Sequence, residues 1–157
     1  CKHESWVSKK QNGQVQKEES MNQLIDQLIR HESMELKPYR CTSNKLTIGI
    51  GRNLEDVGIS EEEAKNLLMN DLKRVDTQLE KMMPWSQELD TVRYEGLMNF
   101  VFNVGIGTAL KFVNAMAAIK EKDFDTGATE LLNSRWAEQV GQRAIEVAEQ
   151  IRTGEYQ

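Results

Sequence analysis

Apolar residues recur at helical spacing through most of the chain after residue 20. The first such repeat places four apolar side chains on one helix face: Leu24, Ile25, Leu28 and Ile29. Ser20 with Gln23 forms a capping box, so we expect a helix over about 21–31 that delivers Glu32 at its C-terminal end. Pro38 prevents that helix from continuing.

Two short strands are predicted at 39–41 and 46–50, joined by a turn over 42–45. Asn44 suits this turn because asparagine tolerates the positive φ that a tight hairpin requires. The other segments carry helical patterns, so this hairpin is the only β-structure that we expect.

A long helix is predicted over about 61–83, opened by a second capping box of Ser60 with Glu63 and ended by Pro84-Trp85. Its apolar stripe consists of Ala64, Leu67, Leu68, Leu72, Val75, Leu79 and Met82. A helix of this length spans roughly 30 Å, which is enough to join two lobes.

Four further helices are expected at 91–104, 108–119, 123–132 and 141–153. Gly105 and Gly154 mark the ends of the first and the last of them. The predicted fold class is therefore α+β and predominantly helical. A small lobe at about 20–60 and a larger helical lobe at about 84–157 are joined by the helix 61–83, with a cleft between the lobes.

The segment 32–52 holds the main candidate chemistry. Glu32 is followed after eight residues by Cys41, and Cys41 after five more by Thr47, with Gly49 and Gly51 beyond. This spacing resembles the active-site signature of the phage-type lysozymes, which is Glu, eight residues, Asp or Cys, five residues, Thr. The resemblance extends over about residues 20–155. It implies a lysozyme-like fold and a muramidase, a glycoside hydrolase that cleaves peptidoglycan.

Glycoside hydrolysis requires an acid that protonates the departing oxygen and a partner that activates water or attacks the anomeric carbon. The resemblance assigns the acid role to Glu32. The C-terminal end of a helix suits this role, because the negative end of the helix dipole disfavours the ionised carboxylate. The alternative is a solvated carboxylate without function.

Cys41 stands where most of the family has aspartate, although a minority has cysteine. The resemblance implies that its thiolate acts as base, electrostatic stabiliser or nucleophile. A thiol must first ionise, from a reference pKa of about 8.5. The alternative is a small buried apolar residue. Some exported relatives with this cysteine cage it in a disulfide until lysis, which suggests Cys1 as a partner.

Thr47 completes the signature, and its hydroxyl is expected to hold the attacking water or the substrate. The alternative is a strand residue chosen for its β-branching. Gly49 and Gly51 are expected to let the backbone turn sharply and approach a sugar closely.

Two later segments also resemble the family. The segment 99–105 resembles one that places an amide at the cleft, here that of Asn103, and Arg143 matches an arginine that pairs with the catalytic glutamate. Both are candidate substrate-binding residues, together with the two glycines. For Arg135 and Trp136 we prefer ordinary packing at a helix end. The chain departs from the family pattern at three positions: Ser33 and Asn44 in place of glycine, and Arg52 in place of histidine in some members.

Composition adds modest constraints. The chain has 157 residues, of which 39% are hydrophobic and 29% charged, as in an ordinary globular protein. Its net charge of -5 argues against nonspecific nucleic-acid binding, and it fits poorly with the basic surface of many cell-wall hydrolases. Two cysteines permit at most one internal disulfide, and no spacing of cysteine or histidine predicts a metal site. We therefore expect no cofactor.

Residues 1–19 are polar, so we interpret them as a leader or tether. The chain begins with Cys1 instead of methionine, which indicates removal of something upstream, such as an export segment. We prefer a boundary without functional meaning over acylation of Cys1 as a lipoprotein. Membrane anchoring is expected only through this N-terminal region.

Three classes of function follow from these observations. The first is an active phage or prophage endolysin, a monomer made in the host cytoplasm, then released or exported to the periplasm, where its partner is peptidoglycan. The second is a noncatalytic peptidoglycan-binding module in which Cys41 marks a lost base. The third is an anchored interaction protein that depends on the leader.

Overall fold

The structure, a computed structural model, describes residues 21–157 and divides the chain into two compact units that meet in sequence at Glu61 and Glu62. The predicted capping box at Ser20 and the interpretation of residues 1–19 concern positions outside the described residues. Within residues 21–157, no helix is long and apolar enough to cross a membrane. We describe each unit by itself.

The first unit begins with α1, which spans residues 21–32 and ends at Glu32, as the apolar repeat predicted. Ser33 leaves the helix with a φ of 63°, and its N–H donates to the Ile29 carbonyl at 3.0 Å. This geometry is a left-handed helix C-cap, for which glycine is the usual residue.

Three antiparallel strands follow in the spatial order β1-β2-β3: Glu35–Arg40, Leu46–Gly49 and Arg52–Asn53. The hairpin of β1 and β2 confirms the predicted β-structure, and Asn44 in its turn has the expected positive φ, at 59°. The strand β3 was not predicted. A strand of two residues is too short to show an alternating pattern, so the expectation of a hairpin alone was wrong.

The strand β1 is longer than predicted, because it starts at Glu35 instead of Tyr39, and it includes Pro38. Proline lacks the N–H that a central strand needs, but β1 lies at the edge of the sheet. The register with β2 shifts between Glu35 and Tyr39, the interval that contains Pro38. Edge position and bulge together explain why the proline does not interrupt the strand.

The second unit, Glu62–Gln157, is helical. Its helices are α2 (Glu61–Met82, whose first residue belongs to the first unit), α3 (Thr91–Val104), α4 (Ile106–Ala109), α5 (Val113–Lys120), α6 (Phe124–Leu132), α7 (Arg135–Val140) and α8 (Gln142–Thr153), with a 3₁₀ turn at Pro84–Glu88. At 22 residues, α2 is about 33 Å long.

The core of the second unit is centred on Phe100, which is fully buried on α3. Its ring makes edge-to-face contacts with Phe112 and Trp136, at centroid distances of 5.0 and 4.8 Å. Such pairs contribute about 0.5–1.5 kcal/mol beyond the burial of area. The helix α2 adds Val75 and Leu79 to this core.

One prediction for this unit was wrong in detail, and one helix was missed. The helix expected at 108–119 is divided into α4 and α5, because the chain turns over 110–112 where Phe112 packs against Phe100. The helix α7 was not predicted. Its signals were the N-cap Ser134, whose hydroxyl accepts the Ala137 N–H at 3.2 Å, and Gly141 as its C-cap.

We expect Ser33→Gly to raise the free energy of unfolding by roughly 0.5–1 kcal/mol, because glycine avoids the steric cost of a positive φ while losing more backbone entropy on folding. Chemical denaturation measures the change. Ser43→Gly is the matched control, since Ser43 has no positive φ and should lose stability or stay unchanged. A destabilised Ser33→Gly variant would contradict the interpretation of the cap.

Candidate active site

Glu32 is placed by the C-terminal end of α1, where its side chain is exposed. Its carboxylate lies against the backbone of Gly51, because a Cβ added to Gly51 would stand 3.2 Å from the Glu32 Oε2 atom. Gly51 also has a φ of +74°. Glycine suits this position for two reasons: it adopts the positive φ without steric cost, and it leaves room for the close approach of the carboxylate.

Cys41 directly follows β1, and its backbone closes the hairpin turn. The Cys41 N–H donates to the Lys45 carbonyl at 3.0 Å, and the Cys41 carbonyl accepts the Asn44 N–H at 2.8 Å. Because Tyr39 pairs with Thr47 across the strands, and Cys41 lies two residues after Tyr39, Cys41 and Thr47 share one face of the hairpin. The register therefore brings the second and third members of the signature together.

The Cys41 side chain is a half-buried free thiol. Hydrogen bonding by the Lys45 backbone, and then by the Thr47 side chain and the Ser43 backbone, lowers the pKa of this thiol from its usual value. Donors that converge on a sulfur favour its anionic form. The environment thus differs from the apolar burial that the alternative interpretation of Cys41 requires.

Thr47 is buried on β2, with 4% of its surface exposed. Its hydroxyl donates to the Lys45 carbonyl oxygen at 3.0 Å. A hydroxyl has a single proton, so the same proton serves either this carbonyl or the neighbouring Cys41 thiolate. Thr47 therefore links the ionisation state of Cys41 to the hydrogen bonds of the turn.

Gly49 and Gly51 both have positive φ, at +68° and +74°, on either side of Ile50. The predicted sharp turn of the backbone is therefore present between β2 and β3. A Cβ on Gly49 would meet no atom within 4 Å, whereas one on Gly51 would meet Glu32. The two glycines share a conformation but differ in their surroundings.

The family departures at Ser33 and Asn44 keep the backbone shape that glycine would favour, since both residues have a φ near +60°. Arg52 lies on β3, and its Nη1 donates to the Gly58 carbonyl at 3.1 Å. That bond holds the segment after β3.

Asn103 and Arg143 lie in the second unit. The Asn103 side chain is exposed, and its Oδ1 accepts the Trp136 Nε1–H at 2.7 Å, so the amide NH₂ group remains as its donor. Arg143 donates to the Oδ1 atom of Asn99 from Nε at 3.0 Å and from Nη2 at 2.8 Å. Each candidate is thus oriented by a neighbour within its own unit.

Trp136 is buried, which confirms the packing role that we preferred for it. Sequence reasoning assigned no role to Asn99, although it lies four residues before Asn103 and therefore on the same helix face. It also missed Glu55 and Asp56, which contact the turn that carries Cys41. Residues 21–157 contain no group of three or more His, Cys, Asp or Glu side chains that could hold a metal ion.

A glutamate at a helix end, followed by a hairpin with a cysteine and a threonine on one face and a helical second unit, defines the lysozyme class of α+β proteins. The family model for phage lysozyme matches residues 29–152. The chain belongs to the phage lysozyme family. Membership supports a muramidase-type function.

Curated relatives agree with this assignment. The chain is 28% identical over 163 residues to "Probable T4-type lysozyme 1" of Dictyostelium discoideum, an alignment covering 85% of this chain and 96% of that protein. "Probable T4-type lysozyme 2" of the same organism is 27% identical with the same coverage. An "Endolysin" of Acyrthosiphon pisum secondary endosymbiont phage 1 is 28% identical over 120 residues, covering 73% of this chain and 78% of that protein.

Gly51→Ala and Gly49→Ala form a matched pair of variants. We expect each to lose about 1–2 kcal/mol of stability, because alanine strains a left-handed backbone. Only Gly51→Ala should also displace the Glu32 carboxylate, with a roughly tenfold or greater loss of lytic activity beyond that of Gly49→Ala. Activity is measured well below both melting temperatures. Equal activity in the two folded variants would show that the contact with Gly51 does not position Glu32.

Proposed function

We propose that this protein is a muramidase that hydrolyses the β-1,4 bond between N-acetylmuramic acid and N-acetylglucosamine in peptidoglycan, and that it acts as a phage or prophage endolysin on the wall in the bacterial periplasm. The observation that carries this proposal is the first unit's arrangement of a carboxylate held at Gly51 and a thiol of lowered pKa beside Thr47.

Glu32 is the general acid in this proposal. Its protonated carboxyl gives a proton to the glycosidic oxygen as the bond to the anomeric carbon breaks. The exposed position at the end of α1 leaves this carboxyl accessible to a saccharide, and the missing side chain of Gly51 leaves room for it against that backbone.

Cys41 acts opposite the acid as a thiolate. As a base, it takes a proton from the water that attacks the anomeric carbon. As a nucleophile, it would form a thioglycoside that water then hydrolyses. Thr47 holds the water or the substrate. In the second unit, Asn103 and Arg143 are the proposed saccharide-binding residues.

The lowered pKa of Cys41 favours this chemistry at neutral pH. A thiol of ordinary pKa is mostly protonated at pH 7, whereas a lowered pKa increases the thiolate fraction there. If the thiolate is the required form, activity should fall as pH drops through the Cys41 pKa, and this limb should lie below the pKa of an ordinary thiol.

Glu32→Gln should reduce lysis by a factor on the order of 100 or more while the protein stays folded, because an amide fills the same space but cannot donate the proton. The measurement is clearing of permeabilised Gram-negative cells, together with release of new reducing ends from purified peptidoglycan. Glu35→Gln, the same change at an exposed residue on β1, is the control and should match the parent.

Activity of Glu32→Gln within a few-fold of the parent would remove Glu32 as the acid. A parent that sediments with peptidoglycan but releases no reducing ends would instead be a noncatalytic binding module.

Cys41→Ser should lower activity by a factor of about 100, because a hydroxyl does not ionise near neutral pH, and Cys41→Asp should restore part of it by supplying a carboxylate base. Alkylation or oxidation of the parent thiol should have the same effect as Cys41→Ser, and reductant should reverse mild oxidation. Rates of peptidoglycan hydrolysis with and without reductant measure these effects. Undiminished lysis by Cys41→Ser would contradict a thiol mechanism.

Recovery in Cys41→Asp does not separate the two mechanistic roles of the thiolate. A base tolerates this replacement, and so does a nucleophile that can form an ester. Mass spectrometry of the parent during turnover distinguishes them, because a thioglycoside adds the mass of the bound saccharide to the peptide that contains Cys41. Absence of the adduct under single-turnover conditions favours the base.

A further inference from the structure

We propose that Glu55 is a positioning residue for Cys41: it holds the hairpin turn 41–45 in the shape that aims hydrogen-bond donors at the Cys41 sulfur. This inference rests on the proposed function for its biological meaning, since a positioned thiol matters only if the thiol acts. The contacts that Glu55 makes with the turn do not depend on the proposed function.

Glu55 lies in the turn after β3, outside the hairpin, and bridges both ends of the Cys41 turn. Its Oε1 atom accepts the Leu46 N–H at 3.0 Å, where β2 begins. The same atom accepts from the Arg40 Nη1 at 2.6 Å, where β1 ends. The Arg40 Nη1 also donates to the Asn44 carbonyl at 2.9 Å. One carboxylate therefore joins the last residue of β1, the first residue of β2 and, through Arg40, the turn between them.

Asp56 reinforces the same turn. Its Oδ1 accepts from the Lys45 Nζ at 3.0 Å, and its Oδ2 accepts from the Asn53 Nδ2 at 2.9 Å. The Lys45 Nζ also lies 3.9 Å from the Glu55 Oε2. Hydrogen bonding and the charge of Asp56 raise the pKa of Lys45. Lys45 is thus held as a cation beside the turn.

These contacts fix the shape of the turn and add little to the stability of the fold. The side chains of Arg40 and Glu55 are 57% and 37% exposed, and exposed ion pairs contribute little to stability. The bond from the Leu46 backbone is the largest cause that lowers the pKa of Glu55. Glu55 is therefore a carboxylate at neutral pH and keeps its acceptors available for the turn.

The shape of the turn matters because two groups that hydrogen-bond the Cys41 thiol, the backbones of Ser43 and Lys45, belong to it. The turn is closed by the bonds from the Cys41 N–H to the Lys45 carbonyl at 3.0 Å and from the Asn44 N–H to the Cys41 carbonyl at 2.8 Å. If the turn changes shape, these groups no longer point at the Cys41 sulfur. The thiolate then loses stabilisation although no residue that touches it has changed.

A simple charge effect of Glu55 has the opposite sign. A carboxylate near a thiol disfavours a second negative charge, so it raises the thiol pKa, and removing it lowers that pKa. Positioning by Glu55 lowers the thiol pKa instead. Among the described residues of the first unit, the charged groups in contact with this turn include Arg40 at the end of β1, Lys45 in the turn itself, and Glu55 and Asp56 after β3. Glu32 lies at Gly51, beyond β2.

Two conservative variants separate position from charge. Glu55→Asp keeps the charge but shortens the side chain, so it cannot make both contacts in the same geometry. Glu55→Gln keeps the reach and an acceptor oxygen but loses the charge. The full chain is alkylated with iodoacetamide from pH 5 to pH 10, and peptide mass spectrometry follows Cys41 separately from Cys1.

Glu55→Asp should move the Cys41 alkylation profile to higher pH and slow alkylation at pH 7 roughly tenfold, as expected for weakened hydrogen bonds to a charged sulfur. Glu55→Gln should keep the parent profile or move it to lower pH. Hydrogen exchange of the Leu46 amide should accelerate in Glu55→Asp alone. Glu35→Asp, on the same sheet, is the control and should match the parent in both measurements.

A Glu55→Asp profile that coincides with the parent overturns the proposal, and so does a shift to lower pH. Alkylation needs no hydrolysis, so its outcome is independent of whether the protein cleaves peptidoglycan. A shifted profile in a protein without lytic activity would support positioning and refute the proposed function. A lytic parent with an unshifted Glu55→Asp profile would support the proposed function and refute positioning by Glu55. In a lytic parent, Glu55→Asp should lower kcat at neutral pH and leave KM unchanged.

Discussion

Left-handed backbone torsion in the first unit is the constraint on which the candidate site depends. Ser33, Asn44, Gly49 and Gly51 all have φ between 59° and 74°. Ser33 ends α1 directly after Glu32, Asn44 closes the hairpin after Cys41, and the two glycines turn the chain after Thr47. Each of these positive-φ residues therefore lies close in sequence to Glu32, Cys41 or Thr47. The path of the backbone at these points sets the positions of the candidate side chains.

This constraint explains why two departures from the family pattern are tolerated. Ser33 and Asn44 adopt the conformation of the glycines that they replace, at a steric cost that is larger for serine than for asparagine. Gly51 differs from these two positions. A Cβ there would stand 3.2 Å from the Glu32 Oε2, so a larger residue would meet the carboxylate in addition to the torsional cost.

The thiol at position 41 changes which parts of the first unit matter. An aspartate is ionised at neutral pH without assistance, whereas a thiol depends on its surroundings to ionise. Here those surroundings are backbone donors of the hairpin turn, held from outside by Glu55 and Asp56. If Cys41 acts as the proposed thiolate, these residues support an ionisation for which a carboxylate would need no support.

Much of the fold was determined by sequence alone. Helical periodicity placed α1, α2, α3, α6 and α8 to within a few residues, because each has an apolar face and most have a stop signal such as Gly105 or Gly154. Local signals also placed Glu32 at the end of a helix, Cys41 at the end of the first strand and Thr47 on the second strand. Local rules suffice where one segment carries its own signal.

Tertiary structure decided the remainder, because those features arise from contacts between separate elements. The strand β3 exists only because β2 offers it a partner, and the break between α4 and α5 follows from the burial of Phe112 against Phe100. The contact of Glu32 with Gly51, the pairing of Arg143 with Asn99 and the bridging by Glu55 likewise join separate elements. The sequence determined which residues could take part in the chemistry, whereas packing and hydrogen bonding between segments determined which of them meet.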